Sequence, residues 1–106
     1  MRINLSETQM TEVKRILEKE FLITAIVPTD DYLFINCFAK RQRETVYYHL
    51  FTEKDTLVIR CYARVFDSLS LDIVIKSTAK NLFDYLLNQT GLKNTTYIEN
   101  GVVWNF

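Results

Sequence analysis

The side chains that could do chemistry are few, and their spacing narrows them further. The chain holds one histidine, His49, and two cysteines, Cys37 and Cys61. One imidazole and two thiols at no recognisable spacing are too few ligands for a zinc-type centre. Strand alternation, set out below, turns both thiols away from His49, which argues against a Cys–His nucleophile pair. The same alternation puts a third strand between the cysteines, a separation of about twice ~4.8 Å and too wide for a disulfide. Two glycines, Gly91 and Gly101, cannot make a glycine-rich phosphate loop. Acidic pairs such as Asp30-Asp31 fall in turn compositions, where carboxylates usually serve solubility. The expectation is a protein that is not an enzyme, with no cofactor and no metal.

Binding chemistry is better represented. Aromatic residues make up 13% of the chain, with six Tyr and seven Phe. Phe34, Tyr47, His49, Phe51, Arg60, Tyr62 and Arg64 fall on one face of a sheet when strands are paired through their shortest turns. Aromatics beside arginine are what protein interfaces enrich. A contiguous apolar patch of several hundred Å² commonly marks a contact site. These seven residues are therefore the candidate binding set, for another protein or for a second copy of the chain as a homodimer. The same aromatics and arginines would also suit stacked bases of a single-stranded nucleic acid. That alternative ranks lower because thirteen basic and thirteen acidic side chains cancel, leaving no broad positive field. A small-molecule pocket between the sheet and a C-terminal hairpin is a third possibility.

The elements that must position this set are legible from period and punctuation. Ser6 and Gln9 have the spacing of a capping box, and Leu5 and Met10 that of a hydrophobic staple. Met10, Val13, Ile16 and Leu17 then make an apolar stripe, predicting a helix that ends near Glu20. Five segments have strand character: Leu22 to Pro28, Tyr32 to Ala39, Glu44 to Thr52, Leu57 to Phe66 and Leu69 to Lys76. Short connections between them predict an antiparallel meander. Ser77 caps a second helix whose stripe is Ala79, Leu82, Phe83, Leu86 and Leu87, with Gly91 at its end. Asn100-Gly101 predicts a hairpin that sets Ile98 opposite Val103 and Tyr97 opposite Trp104.

Register follows from the turns and sorts every side chain at period two. One face is Leu33, Ile35, Cys37, Val46, Tyr48, Leu50, Leu57, Ile59, Cys61, Ala63 and Val65, with Leu71, Ile73 and Ile75 added. This nearly aliphatic face is the one that both helices should cover, with Ile35, Ile59 and Ile73 beneath them. The other is Phe34, Asn36, Phe38, Tyr47, His49, Phe51, Val58, Arg60, Tyr62, Arg64 and Phe66. Either it is an interface or the C-terminal hairpin, or one helix, folds back over it. Topology also puts the turns Asp30-Asp31 and Glu53-Lys54-Asp55, three negative charges in sum, at one end of the meander, and Lys40, Arg41, Arg43 and Arg64, against Glu44 and Asp67, at the other.

The fold class predicted is α+β, one domain spanning 1–106: a meander of about five strands, two helices on one face and a C-terminal hairpin. The order helix, meander, helix, hairpin resembles small dimeric secretion chaperones, whose sheets and helices hold partner segments. The likeness covers element order alone, and the acidic balance and closing helix typical of that group are missing here. No stretch nears ~20 uninterrupted apolar residues, so no membrane partner is expected. The polar start of the chain and the two unpaired thiols point to a cytoplasmic protein.

Overall fold

The computed structural model describes residues 1–64 and 68–106. Helix α1 (Glu7–Glu18) leads into strands β1 (Phe21–Pro28), β2 (Leu33–Ala39), β3 (Glu44–Glu53) and β4 (Thr56–Ala63). Helix α2 (Leu69–Thr90) follows, then β5 (Asn94–Glu99) and β6 (Val102–Trp104). All six strands form one sheet in chain order, β1 to β6. The class is α+β, and both helices contribute to one core on one face of the sheet.

Local chemistry starts α1 where the sequence predicts. The Ser6 hydroxyl accepts from the Gln9 amide at 3.1 Å, and the Gln9 side chain accepts from the Ser6 amide at 2.9 Å. The helix ends at Glu18, two residues short of expectation. Phe21, at the margin of the helical stripe, instead opens β1 and is fully buried, edge-on to Tyr48 with ring centres 5.9 Å apart.

The first four strands pair antiparallel in the expected register. Leu50 faces Ile59, Tyr48 faces Cys61, His49 faces Arg60 and Tyr47 faces Tyr62. Leu33, Ile35 and Cys37 of β2 lie against Leu50, Tyr48 and Val46 of β3. The aliphatic face is accordingly the core: Ile35, Cys37, Val46, Leu50, Leu57, Ile59 and Cys61 are fully buried. The Cys61 and Cys37 thiols are unpaired, and burial pushes Cys37 up to about 12. Val65, Phe66 and Asp67, to which the sequence gives a strand end and a turn, lie outside the described residues.

The fifth predicted strand is a correction. Leu69 to Lys76 is the first two turns of α2, so no fifth antiparallel strand follows β4. Ser68, not Ser77, is the N-cap, its hydroxyl accepting from the Leu71 amide at 3.2 Å. Two periods overlap in this segment. Leu69, Leu71, Ile73 and Ile75 alternate as a strand would. Leu71, Ile75, Thr78, Ala79, Leu82, Phe83 and Leu86 also recur as a helical stripe, and these are the residues buried. The longer stripe wins because it docks a helix of 22 residues, ~33 Å long, against β4 and α1. Ile73 is consequently 56% exposed, not beneath the helices as its parity suggests.

With α2 as a crossover, the chain returns to the end of the sheet where β4 began. β5 therefore pairs parallel to β4, Ile59 beside Tyr97 and Arg60 beside Ile98, and the sheet is mixed. A parallel neighbour needs a connection of this kind, whereas a hairpin would not. The turn to β6 has the predicted form, with Asn100 at φ +49° and Gly101 at φ +83°. Ile98 meets Val103 and Tyr97 meets Trp104 as expected.

One partly buried polar network ties α2 to β5. The Lys76 amine bonds Asp72 at 2.7 Å and Glu99 at 3.1 Å, and Tyr97 donates to Glu99 at 2.7 Å. The Trp104 ring lies 4.0 Å from the Lys76 nitrogen. Burial raises the Glu99 carboxyl, and the neighbouring Asp72 raises it further. Tyr48, fully buried in the middle of the core, donates its hydroxyl to the Ile75 carbonyl at 2.9 Å.

Candidate functional site

The second sheet face has no helix or strand over it among the described residues. The C-terminal hairpin does not fold across it; β5 and β6 lengthen the sheet in its own plane. Alternation carries Phe34 from β2, Tyr47, His49 and Phe51 from β3, and Arg60 and Tyr62 from β4 onto this face. Arg64, just past β4, is exposed at its rim.

The structure brings these side chains into one contiguous cluster of rings, stacked between Phe34 and Tyr47 and tilted around His49. Phe34 stacks on Tyr47 with ring centres 5.7 Å apart, and lies 5.5 Å from His49. Tyr62 lies 5.7 Å from His49 on the other side. The Arg60 guanidinium crosses the Phe51 ring at 4.9 Å, a cation–π contact. Its terminal nitrogen is 3.4 Å from His49 Nδ1, while its Nε is buried without a partner. Burial holds the His49 imidazole below its ordinary pKa, and the Arg60 charge lowers it further. His49, in the middle of the face, is thus biased toward its neutral form.

Exposure divides the set. Tyr47 is 38% and Tyr62 41% exposed, side by side across β3 and β4. Phe34, His49 and Arg60 are half-buried by their neighbours. Phe51 departs from expectation: at 9% exposure it lies beneath Arg60 and supports the face without presenting a ring to solvent. Val58 on the same face is likewise buried.

Tyr32 is the residue that the sequence reading misses. Its ring stacks on His49 at 4.2 Å, and Arg60 lies 5.6 Å over it. Parity counted back from Phe34 reaches it, although it stands just before β2 begins. β1 and β6 also add to the face. Leu22 and Val27 are 57% and 47% exposed, and Val103 is 62% exposed. Alternation alone could not have placed the β1 residues together, because a bulge at Thr24 shifts the register between Ile23 and Ala25.

The face carries charge at its two ends. Asp31 and Glu53 line a hollow of ≈ 340 Å³ with Met1, Tyr32, Phe51 and Arg60, so carboxylates and cations share that end. Tyr47, Tyr62 and Arg64 line another, of ≈ 470 Å³, toward Glu44 and Asn100. Lys40 leaves the basic end: its amine turns to the Glu18 carbonyl at 2.8 Å, on the helix side. Among the described residues no group of histidines, cysteines and carboxylates is arranged to hold a metal ion. No described helix is long and apolar enough to cross a membrane.

The geometry thus defines an α+β protein with a two-layer body and an open, aromatic sheet face. Comparison with protein-family models, with curated proteins and with solved structures found no match.

Proposed function

We propose that this protein is a non-catalytic binding module, an inhibitor, adaptor or chaperone-like protein that engages protein through its aromatic sheet face. One observation carries the reading: both helices cover the aliphatic face, while Tyr47 and Tyr62 stand uncovered on the other amid Phe34, His49 and Arg60. Tyrosine anchors with an arginine alongside commonly dominate binding energy, often by ~2 kcal/mol or more on truncation. Tyr47 is stacked on Phe34 and Tyr62 leans on His49, contacts that reduce the rotamer freedom lost when a partner arrives.

The test is the Tyr62→Ala and Tyr47→Ala pair, measured for melting temperature, solution mass and protein capture. The reading expects association or capture to fall while the free domain melts close to the parent. A variant that melts far lower would make the tyrosines part of the fold. Unchanged association and capture would also reject the reading. Single-stranded nucleic acid is the rival occupant, since adjacent Tyr47 and Tyr62 could stack bases. Tight retention of a labelled oligonucleotide pool at physiological salt, lost in Arg60→Ala/Arg64→Ala, would put that rival first.

A further inference from the structure

We propose that His49 and Arg60 form a proton-operated gate on the aromatic face. A proton on His49 drives the Arg60 guanidinium off the Phe51 and Tyr32 rings and toward the Asp31 and Glu53 carboxylates, uncovering Phe51. The gate is a property of the free chain and stands whether or not the face binds protein. Hydrogen-bond chemistry supplies the first argument. A guanidinium can only donate, so the contact of its terminal nitrogen with His49 Nδ1 at 3.4 Å requires Nδ1 to accept. The imidazole in this arrangement is neutral and carries its proton on Nε2. A proton taken up on acidification therefore lands on the atom that receives Arg60. Two donors and two positive charges then meet where both side chains are half-buried, and attraction becomes repulsion. A proton shifts an equilibrium only through a difference between two states, and here that difference is at Nδ1.

The second argument is that Arg60 sits loosely, with another seat beside it. The guanidinium rests 4.9 Å over Phe51 and 5.6 Å over Tyr32, contacts that carry no directional bond. Its Nε is buried without an acceptor. Among the described residues Arg60 makes no ion pair, although the exposed Asp31 and Glu53 line the same hollow. The other cations nearby are engaged elsewhere. The Met1 amine donates to the Thr52 carbonyl at 2.7 Å, and Arg2, bridged to Phe51, turns its guanidinium to the Thr29 carbonyl at 3.0 Å. Around the imidazole itself stand Tyr32 from the turn before β2, Tyr47 from β3 and Tyr62 from β4, while β2 contributes Phe34, which cannot titrate. Arg64 belongs to the hollow at the far end. Arg60 is thus the one charge in contact with His49 among the described residues. Burial first, and that charge second, hold the imidazole below its ordinary pKa. Closed, the face presents a cation above a ring that is 9% exposed. Open, it presents the Phe51 ring, and the positive charge moves to His49 in the middle.

The experiment is a proton titration of the free chain followed by nuclear magnetic resonance. His49 is the only histidine, so its imidazole carbon–proton signals report one residue from about pH 8 to about pH 5. The His49 ring, the Arg60 Nε–H and the Phe51 ring should share one midpoint, below ~6.5. The Arg60 Nε–H should also exchange faster with water as the pH falls through that midpoint. Exchange of this group is base-catalysed, so a guanidinium that stayed seated would exchange more slowly instead. A His49 titration that leaves the Arg60 and Phe51 signals unmoved would overturn the gate. In His49→Gln both signals should hold still over the same range. If they moved all the same, the carboxylates would be the sensors, and the gate would again be overturned. Arg60→Met keeps a side chain over Phe51 without the charge. The His49 midpoint should then rise part of the way to ~6.5, because burial remains. An unchanged midpoint would show that the contact with Arg60 does not exist in solution. A thermal melt checks that both variants fold, and the titration of the parent decides the matter without them.

Discussion

The rings of His49 and Tyr32 stack 4.2 Å apart at an angle of 21°, joining the centre of β3 to the turn that precedes β2. Burial of His49 within this cluster, with the Arg60 guanidinium at 3.4 Å from Nδ1, favours an uncharged imidazole.

That preference has a sign. Burial first, and Arg60 second, hold the folded-state pKa of His49 below that of the unfolded chain, which is ~6.5. The folded state therefore binds fewer protons, and the His49 contribution is present above pH ~6.5 and lost as pH falls toward the folded value. Melting temperature should drop on acidification through this window in the parent, and less steeply in His49→Gln. Equal slopes in the two proteins would contradict the arrangement. The comparison isolates His49 from Glu99, whose raised carboxyl acts with the opposite sign.

Ile59 and Ile73 make a matched pair for the core. Ile59→Ala should cost ~2–5 kcal/mol as a fully buried truncation, read from denaturant midpoints. Ile73→Ala should fall within ~0.5 kcal/mol of the parent, because its side chain is on the outer side of α2. Similar losses at both positions would return Leu69 to Lys76 to a strand.

Helix capping gives a second matched pair. Ser68→Ala removes the bond to the Leu71 amide and should cost ~0.5–2 kcal/mol, while Ser77→Ala, exposed inside α2, should be near neutral. Far-ultraviolet circular dichroism through a thermal melt measures both.

The Lys76 network should be asymmetric under mutation. Lys76→Met leaves the Glu99 carboxyl, 9% exposed, beside Asp72 with its cation gone, and should destabilise by about 1–3 kcal/mol. Glu99→Gln keeps an acceptor for the Tyr97 hydroxyl and removes the crowding with Asp72, so it should be tolerated better. A Lys76→Met protein as stable as the parent would show that the network contributes nothing.

Much of this was legible in the sequence because short turns leave little choice. The register from Leu33 to Ala63 follows from loop length, and once Leu50 is set opposite Ile59, both sheet faces are determined. Six of the seven expected binding residues present surface, and the seventh, Phe51, is roofed by Arg60. What failed was non-local. Leu69 to Lys76 satisfies both periods, and only the stripe continuing to Leu86 decides between them. The bulge at Thr24, whose hydroxyl donates to the Asn36 carbonyl at 3.0 Å, has no mark in the sequence. Asp72 and Lys76 could have been read as an i,i+4 pair favouring a helix.

The parallel seam between β4 and β5 also sets an order of assembly. Strands β1 to β4 find their partners across short turns, at little cost in loop closure. The bond from the Ala63 amide to the Asn100 side chain spans 37 positions and closes only after α2 has formed and docked. Chain emerging from a ribosome would hold a four-stranded sheet with β4 as an unprotected edge until residue 94 and beyond were free, an interval when mispairing is easiest. Native-state hydrogen exchange should reflect the same hierarchy, with amides of β5 and β6 released at lower free energy than those shared by β2 and β3.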